Sequence, residues 1–486
     1  MKRLLSLALI ASSPDLLFAQ VISSVSFTEL GRFHHPVQAI PAGFSASTIH
    51  SRIDRLDRGY LFMACTVQGL ITLDIGDPAQ PTPVDTIPVT ALGGLQVNDL
   101  EQYGDLLVLA LGGFEGSAES TGAATIDVSD PENAVVRDLW TDPINFPNGC
   151  ATAKLHNGHL YLGAMESGLV VLDASDPDVL QFSSAFQPDP SWPGIAGYPP
   201  NARGIEIVGD ILYLAYDAGG LRVLDISDPQ SITELGRYVN PSLPILTPPA
   251  YNKVLVRDGL ARIAVDFCGL ETVDVGDPAD MQQTSWLNPW NCIGFSWFGS
   301  DGHTNEVMTA MSDSLLLVSG ADTEVLAYDI SAGGAPIPVG GVIQPNDTAA
   351  TWSIDVHGDL LVGNFINNHG LPTQPYDSKY GGVVIYRWEA DLVTGLPQGT
   401  AQPCLPRIAA LPDGSGFELI RACAAEPTML TVHDALGRCV VGPRSLRVGT
   451  GELRDRIELN DQAAGLFLIR FTDGARLETL RGVITR

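Results

Sequence analysis

Positive charge and long apolar runs are both scarce in this sequence of 486 residues. Lys and Arg together number 27 against 56 Asp and Glu, which gives a formal net charge of -29. Such a charge repels nucleic acid and anionic lipid at long range, so we expect neither as a partner. After the N-terminus, no segment approaches the roughly 20 apolar residues of a membrane span. Cations, neutral glycans and proteins remain as partners.

Metal-binding and catalytic motifs are also missing. The seven cysteines form no C-x-x-C pair and none lies near clustered histidines, so we expect no zinc site. There is no Gly-x-Ser-x-Gly elbow, no His-Glu-x-x-His and no phosphate-binding loop. A glycosidase-like acid and base could come from Asp99, Glu101, Glu206 and Glu306, but acidic residues are so abundant that this pairing indicates little. We therefore predict no catalytic residues.

Turn-forming residues, in contrast, are abundant. The 50 Gly and 34 Pro, with charged residues at only 17%, indicate frequent turns and few amphipathic helices. This composition is typical of an all-β protein.

The N-terminus has the features of a secretory signal peptide. It has a basic start at Lys2 and Arg3, an apolar run from Leu4 to Ala11 and a small residue at Ala19. We therefore interpret residues 1–19 as a signal peptide, with a buried N-terminal strand as the alternative.

The central sequence repeats one pattern in seven segments. Each has a polar turn, an apolar strand, a Gly-containing turn, a second apolar strand and, in most copies, an Asp-x-Ser/Gly-Asp-Pro ending. The clearest copy runs from Gly209 to Pro229, and three others follow it closely at 69–78, 168–177 and 269–278. Weaker copies lie at 127–131, 329–331 and 382–386.

The aspartates that anchor the repeat recur about every 50 residues, a spacing typical of β-propeller blades. They are Asp74, Asp127, Asp173, Asp225, Asp274 and Asp329. The strands are apolar on successive residues, as expected for sheets covered on both faces. In the ending, we expect the Asp side chain to cap the turn and Pro to fix φ where no ladder donor is needed. A calcium loop is the alternative, although EF-hand spacing is absent.

These Gly-x-Leu-x-Val-x-Asp-x-Ser-x-Pro units resemble the LVIVD repeat family of bacterial β-propellers over about residues 25 to 390. The resemblance implies the fold and says almost nothing about activity. We predict an all-β protein with a seven-bladed β-propeller over residues 20–394.

The two ends of the repeat region predict how the ring closes. Residues 28–33 nearly repeat residues 233–238, which form the last strand of a complete unit. The final unit, ending at Tyr386 and Trp388, has no such strand of its own. Pairing of residues 25–33 with Val383–Trp388 would close the propeller and leave no open edge.

A shorter β pattern follows a linker at residues 395–406. We predict a small β-sandwich-like domain over residues 407–486. Its Asp-Ala-Leu-Gly-Arg hairpin at 434–438 and its Ala-Gly-Leu-Phe strand at 464–467 are similar to the C-terminal sorting domain of the bacterial type IX secretion system. The resemblance implies the type IX secretion machinery as a partner. An immunoglobulin-like appendage is the alternative.

One face of the predicted propeller carries nearly all the long loops, which are the segments 112–122, 187–203, 239–252, 287–306 and 364–382. Function usually lies on elaborated loops over a rigid scaffold, so we predict that this loop-rich face binds the ligand. Its candidate aromatic residues are Trp192, Tyr251, Trp290 and Trp297, which suit sugar rings and protein hot spots alike. Burial of these rings beneath the loops is the alternative.

Polar residues of the first strands are the second set of candidates. Aligning these strands on the Gly-x-Leu landmark places seven residues at the channel mouth: Arg52, Asn98, Ala151, Arg203, Asn252, Val307 and Trp352. Of these, we take Arg52, Asn98, Arg203, Asn252 and Trp352 as candidate ligand-binding residues, the two arginines for a ligand carboxylate. Three residues further on come Arg55, Glu101, Lys154, Glu206, Leu255, Ala310 and Asp355. The alternating charges of this second set predict structural ion pairs.

Two cysteines lie where the loop-rich face is most elaborate. Cys268 is in the turn between the second and third strands of the fifth unit, and Cys292 is in the long loop that leaves that unit. Since an exported protein permits disulfides, we predict a Cys268–Cys292 bridge. Two free thiols, or a bridge from either cysteine to Cys150, are the alternatives.

We predict a secreted protein, extracellular or on the outer-membrane surface, that binds a glycan or a protein through its loop-rich face without catalysis. We expect no cofactor, with calcium left open. A different class of function is the alternative: an extracellular hydrolase or lactonase of propeller type that acts in the central channel through carboxylates, with or without a calcium ion.

Overall fold

The structure is a computed structural model. It describes residues 21–35, 47–113, 119–194, 199–243, 250–287, 304–320, 324–331, 334–342, 350–367, 381–393, 407–411, 415–421, 429–434, 439–446, 453–459, 465–473 and 476–484. The chain divides into two compact units, Met1–Thr394 and Gly395–Arg486. The described residues form β-strands and two short 3-10 helices, Val89–Leu92 and Asp266–Cys268, with no α-helix among them. The predicted all-β class is confirmed. No helix in this part of the chain is long and apolar enough to cross a membrane.

Five four-stranded antiparallel sheets, A to E, follow one another along the first unit, and consecutive strands pair in each. Sheet A holds β2 (His50–Ile53), β3 (Tyr60–Ala64), β4 (Leu70–Asp74) and β5 (Thr82–Ile87); sheet B holds β6 (Val97–Tyr103), β7 (Leu106–Leu111), β8 (Gly122–Asp127) and β9 (Val135–Thr141). Sheet C holds β10 (Thr152–His156), β11 (His159–Gly163), β12 (Leu169–Asp173) and β13 (Gln181–Phe186); sheet D holds β14 (Gly204–Val208), β15 (Ile211–Ala215), β16 (Leu221–Asp225) and β17 (Thr233–Tyr238). Sheet E holds β18 (Tyr251–Arg257), β19 (Leu260–Val265), β20 (Leu270–Asp274) and β21 (Gln282–Leu287).

The other strands of this unit form one eight-stranded sheet, sheet F. Its members are β1 (Val21–His34), β22 (Thr304–Ala310), β23 (Leu315–Gly320), β24 (Glu324–Asp329), β25 (Ile337–Val342), β26 (Ala350–His357), β27 (Leu360–Ile366) and β28 (Gly382–Val393). In this sheet β1 lies between β25 and β28.

The N-terminal strand β1 pairs with the last strand of the repeat region. It runs antiparallel to β28, from Val21 opposite Val393 to His34 opposite Gly382, and meets β25 in parallel through Val25 and Gly340. The predicted pairing of residues 25–33 with the last strand is therefore confirmed, and the outer edge of β28 is covered.

Hydrophobic side chains fill the space between successive sheets. In the second strand of sheet A, Phe62 packs in the core shared with sheet B, whereas its neighbour Leu61 packs with Val362 and Val383 of sheet F. Both faces of this strand are therefore covered, which explains its apolar residues at successive positions. Each fully buried side chain of this kind contributes roughly 1.5–3 kcal/mol to stability. Because sheet A packs on sheet F as well as on sheet B, the first and last sheets are in contact and the series of sheets forms a closed ring.

The first strands of the sheets line a central channel. These strands are β2, β6, β10, β14, β18, β22 and β26, and each neighbours the next in space. Strand β26 in turn neighbours β2, so the series is closed. All seven begin at the loop-rich face and end in the short turns of the opposite face.

The Asp-x-Ser/Gly ending is a capped turn. In six copies the Oδ1 atom of the anchoring aspartate accepts a hydrogen bond from the backbone N–H two residues on, at 2.8 to 3.0 Å. The second aspartate repeats this bond in Asp77, Asp176, Asp228 and Asp277. The predicted structural role of the motif is confirmed.

The second unit consists of two antiparallel sheets. One has the order β29-β30-β33, with β29 (Arg407–Ala410), β30 (Gly416–Arg421) and β33 (Leu453–Glu458). The other has the order β32-β31-β34-β35, with β31 (Met429–Asp434), β32 (Cys439–Ser445), β34 (Gly465–Asp473) and β35 (Arg476–Ile484). Phe417 and Leu419 of the first sheet share one core with Val432 and Phe467 of the second.

Candidate functional site

A pocket opens at the loop-rich end of the central channel, with about 550 Å³ of empty volume. Each first strand places one residue near its start in the pocket wall, and we call this set the mouth layer. Its members are Ile49, Asn98, Ala151, Arg203, Asn252, Asn305 and Trp352.

The sequence alignment placed five of these residues correctly and two wrongly. Asn98, Ala151, Arg203, Asn252 and Trp352 line the pocket as predicted. In sheet A, however, Ile49 takes the position expected for Arg52, and in sheet F, Asn305 takes that expected for Val307.

The length of one turn explains both errors. The turn between the first two strands has two residues in sheets B, C and D, but six in sheet A, from Asp54 to Gly59, and four in sheet F, from Met311 to Ser314. The alignment counts a fixed number of residues back from the Gly-x-Leu motif to the first strand. When the turn between the first two strands is longer, this count ends at a residue that lies too close to the C-terminal end of the first strand.

Two asparagines of the mouth layer have buried polar atoms without a hydrogen-bond partner. Asn98 Nδ2 donates to the Cys150 carbonyl at 3.0 Å, but Asn98 Oδ1 has no partner among the described residues. Asn305 Oδ1 accepts from Asn252 Nδ2 at 2.7 Å, and Asn305 Nδ2 has no partner in the part of the chain that the structure describes. Asn98 is 3% exposed and Asn305 is 8% exposed. Because an unsatisfied buried polar atom costs about 1–3 kcal/mol, these two amides are equipped to bind a ligand.

Ionisable groups surround this amide cluster. His50 lies between two carboxylates, with Nδ1 3.6 Å from Asp99 Oδ1 and Nε2 3.4 Å from Glu306 Oε2. Lys253 Nζ is 3.3 Å from the same Glu306 oxygen, and Thr152 Oγ1 donates to Asp99 Oδ2 at 2.8 Å. Burial opposes the ionisation of both carboxyls, but neighbouring positive charge outweighs it: His50 and Lys253 lower the pKa of Asp99, and Lys253 and His50 lower that of Glu306. Both therefore carry a negative charge at neutral pH.

Arg203 stands apart from this cluster and is weakly paired. Its Nε lies 3.7 Å from Asp217 Oδ2 and makes no hydrogen bond among the described residues. Burial raises the pKa of Asp217, and the charge of Arg203 offsets this only in part. The Arg203 side chain is 23% exposed, so its guanidinium remains accessible from the pocket.

A second layer lies three residues deeper along the strands, and we call it the inner layer. Its members are Arg52, Glu101, Lys154, Glu206, Leu255, Met308 and Asp355. Arg52 pairs with Glu101 at 3.0 Å and with Asp355 at 3.4 Å, and Lys154 pairs with the same Glu101 oxygen at 2.6 Å. Burial opposes ionisation of Glu101, but Arg52 and Lys154 hold its pKa well below the usual range.

The sequence predicted that Arg52 lies at the channel mouth, but the structure places it in the inner layer. It is buried, and two carboxylates already neutralise its charge. Arg55, assigned to the second set, extends this network by pairing with Asp355 at 2.6 Å. The predicted structural ion pairs are present.

The aromatic candidates on the loops differ in their surroundings. Trp192 is half-buried, with the guanidinium carbons of Arg222 and Arg237 at 4.9 and 5.1 Å from its ring centroid. Tyr251 is fully buried, and its hydroxyl donates to Glu271 Oε2 at 2.8 Å. The buried Tyr251 is not an open platform for a ligand, which corrects that prediction, whereas a ligand contact of Trp192 stays a prediction. Trp290 and Trp297 lie outside the described residues.

The cysteine prediction is tested in part. Cys65 and Cys150 are buried free thiols, so a bridge to Cys150 is excluded. Cys268 is buried. Cys292 lies outside the described residues, so the Cys268–Cys292 pairing stays a prediction.

The ionisation of three channel carboxylates bears on the hydrolase alternative. A glycosidase needs a proton-donating carboxyl with a raised pKa, whereas Asp99, Glu101 and Glu306 all have lowered pKa values. Within the described ranges, no three His, Cys, Asp or Glu side chains lie close enough together to hold a metal ion. The hydrolase alternative is not favoured by these carboxylates.

The sequence missed His50, Lys253 and Asn305 as parts of the site. The length of the turn after each first strand is a signal that would have found Asn305. His50 and Lys253 face the pocket directly beside mouth-layer residues, Ile49 and Asn252.

Known proteins add evidence on the fold. Residues 56–87 and 199–246 match the model of the LVIVD repeat. These matches and the sheet topology support an LVIVD-repeat β-propeller. No curated protein matches the chain.

Solved structures resemble the propeller at low sequence identity. Raptor of Chaetomium thermophilum is 12% identical, with a TM-score of 0.50 over 79% of this chain and 30% of that one. The C-terminal WD40 domain of Sif2 is 10% identical, with a TM-score of 0.48 over 74% of this chain and 98% of that one. The β-propeller domain of Myceliophteria thermophila Cps50 (Swd1) is 12% identical, with a TM-score of 0.44 over 76% and 99%. At such identities the likeness concerns the fold alone.

Proposed function

We propose that this protein is a non-catalytic extracellular binding propeller that recognises a glycan and holds one neutral sugar in the pocket at the channel mouth. The observation that carries the proposal is the pair of buried amide atoms without partners, Asn98 Oδ1 and Asn305 Nδ2. One accepts and the other donates a hydrogen bond, which matches the hydroxyl groups of a sugar, since each hydroxyl does both.

The charge of the pocket favours a neutral sugar over an acidic one. Asp99 and Glu306 are ionised, Lys253 pairs with Glu306, and Arg203 faces Asp217. The indole of Trp352 in the same wall is the kind of side chain that packs against the apolar face of a sugar ring.

The shape of the pocket favours a glycan over a protein as the primary ligand. The pocket is a concavity at the end of the channel, lined by residues in or next to all seven first strands, which suits a small group that enters from the loop-rich face. A protein surface would need a broader contact, of roughly 800 Å² on each partner.

A glycan array probed with the full chain tests the proposal. We expect binding to a subset of neutral glycans, and a loss of about tenfold in affinity for N98A and for N305A, because about 1.4 kcal/mol corresponds to tenfold. The matched control is N133A, whose side chain is exposed on the opposite face and donates to Asp130. Equal binding by all three variants, preference for acidic glycans, or release of a cleaved product would contradict the proposal.

We infer seven blades, with sheet F counted as two. Strands β22 to β25 would form one blade, and β26 to β28 with β1 would form the other. Support comes from the parallel contact between β1 and β25, which rests on one residue pair, Val25 and Gly340. A crystal structure with six or eight blades would contradict this count.

We also propose that the chain is exported by the type IX machinery. Support comes from the basic and apolar residues of 1–19 and from the hairpin and strand motifs at 434–438 and 464–467. A chain ending at Pro403 should then fold but remain in the periplasm of its host, while the full chain reaches the medium or the cell surface. Equal amounts of both outside the cell would overturn the assignment.

A further inference from the structure

A second cavity lies on the opposite face of the propeller, where sheets E and F meet, with about 520 Å³ of empty volume. The residues of its wall lie in or beside three short turns, namely the turn between β18 and β19, the turn after β22 and the turn after β24. One further side chain, Arg262, comes from within β19. Because it opens away from the loop-rich face, this cavity is independent of the site proposed above.

Arg262 breaks the pattern of the repeat. It is the third residue of the second strand of its sheet, and in the other six second strands this position is hydrophobic. The equivalent residues are Phe62, Val108, Tyr161, Tyr213, Leu317 and Val362. Arg262 is as buried as they are, at 4% exposed. A guanidinium therefore occupies a site that the repeat otherwise fills with an apolar side chain.

No carboxylate in the described part of the chain neutralises Arg262 by contact. Its side chain makes no hydrogen bond or ion pair there, and the Nε atom is buried without a partner. Asp313 lies on the cavity wall, but it pairs with Arg257 at 3.2 Å and accepts from Thr309. Asp258 is exposed at the tip of its turn, where solvent screens its charge.

An unpaired buried charge is unfavourable, so a guanidinium in this position calls for an anionic partner. Burial lowers the pKa of Arg262, and the charges of Asp258 and Asp313 offset that effect only in part. The cavity beside it is open to solvent and has hydroxyl groups in its wall from Ser312, Ser314 and Ser331.

We propose that this cavity is a binding site for a small tetrahedral oxyanion, of the sulfate or phosphate type. The planar guanidinium of Arg262 would donate two parallel hydrogen bonds to two of its oxygens. The hydroxyls of Ser312, Ser314 and Ser331 lie on the turns of two other strand connections and would donate to the remaining oxygens. A tetrahedral anion uses donors from several directions, whereas a planar carboxylate uses chiefly the guanidinium fork.

Sodium sulfate, compared with sodium chloride at constant ionic strength, is the direct probe. We expect the melting temperature of the full chain to rise by a few degrees with sulfate and to follow the logarithm of its concentration above the dissociation constant. Calorimetric titration of the full chain with sulfate should show one site, and inorganic phosphate should compete for it.

The variant R262Y restores the side chain of the equivalent position in sheets C and D, Tyr161 and Tyr213. We expect it to melt in chloride at or above the temperature of the wild type, because replacing an unpaired buried charge with an apolar group relieves its desolvation. It should lose the response to sulfate. The control R137A removes an arginine that pairs with Asp178 at 2.6 Å on the surface, and it should keep that response.

Equal stabilisation of the wild type and R262Y by sulfate would overturn the proposal, because general salt effects act on any folded protein. Absence of a saturable sulfate signal in the titration would overturn it as well. Should R262Y fail to fold, R262K takes its place: it keeps the charge but loses the planar fork, so sulfate affinity should fall at least tenfold.

Discussion

The mouth layer and the inner layer of the channel come from the same seven strands, three residues apart, and differ in how far their polar groups are satisfied. In the inner layer, Arg52, Glu101 and Lys154 form a continuous set of ion pairs at 2.6 to 3.0 Å. In the mouth layer, Asn98 and Asn305 each keep one buried amide atom that has no partner among the residues described.

This difference separates structural polar groups from groups available to a ligand. A charge in the inner layer is held by charges from neighbouring sheets, so removing one leaves the others uncompensated. An unpartnered amide in the mouth layer contributes little to folding. Stability and binding should therefore respond to different substitutions along one strand.

The substitution with the largest expected effect is E101Q in the inner layer. It leaves Lys154 without its carboxylate and removes one of the two that face Arg52, so we expect the free energy of unfolding to fall by about 3 kcal/mol. Chemical denaturation measures the change. The control D178N breaks the exposed Arg137–Asp178 pair and should lower the free energy by less than about 1 kcal/mol. Equal losses in the two variants would show that the inner layer is no more important than the surface.

The second prediction concerns pH. Since the folded-state pKa of Glu101 lies well below its ordinary value of 4.5, its stabilisation is fully present above about pH 4.5 and is lost as the pH falls through the folded-state pKa. The gap in melting temperature between the wild type and E101Q should therefore be constant near neutral pH and should narrow in acid. A gap that widens below pH 4.5 would contradict this assignment.

A third, smaller effect is expected for E271Q. Glu271 is also buried, but its partners are neutral: Tyr238, Tyr251 and Gln283 donate to it at 2.6 to 2.8 Å. Burial raises its pKa above the ordinary 4.5, so its contribution is present at low pH and is lost as the pH rises through the folded-state pKa. At pH ~7 we expect E271Q to change the free energy of unfolding by no more than about 1 kcal/mol.

Melting curves of the wild type and E271Q between pH ~3 and ~8 measure this effect. The advantage of the wild type should shrink as the pH rises, opposite to the trend with E101Q. Parallel trends in the two variants would show that the neighbours of a buried carboxyl do not decide its role.

The smallest change in stability is expected for N305A in the mouth layer. It removes the acceptor for Asn252 Nδ2 but also an unpartnered buried donor, and these losses oppose each other. We expect less than about 1 kcal/mol by thermal or chemical unfolding. A loss as large as that of E101Q would show that Asn305 has a structural role, and the distinction between the layers would fail.

Much of the fold was predictable because it depends on local patterns. The Asp-x-Ser/Gly turn forms from hydrogen bonds two residues apart, so its role could be read from one repeat. The pairing of β1 with β28 could be predicted because the final repeat unit lacks its last strand, while the N-terminal segment resembles such a strand without belonging to a unit. The residues of the mouth layer were harder to predict from the sequence. The turns after β2 and β22 are longer than the others, so the alignment of the repeats wrongly assigned Arg52 and Val307 to this layer.

Tyr251 shows why an aromatic candidate was misread. The sequence placed this residue in a loop, whereas it begins β18 and its hydroxyl donates to Glu271. Arg262 is the converse case, since its departure from the apolar pattern of the second strands is visible in the sequence once the repeats are aligned. That no carboxylate of the described ranges contacts it is a property of the packed sheets.

The sequence by itself determined the strands, the turns and the closing strand, because each depends on residues close in the chain or on the repeat as a whole. Only the tertiary structure decided which polar groups are satisfied. The partners of Arg52 are 49 and 303 residues away, and the carbonyl that Asn98 binds belongs to a residue 52 positions on. These distances in the chain are bridged when neighbouring sheets pack around the channel, so the contrast between a closed charge network and an open binding pocket exists only in the folded ring.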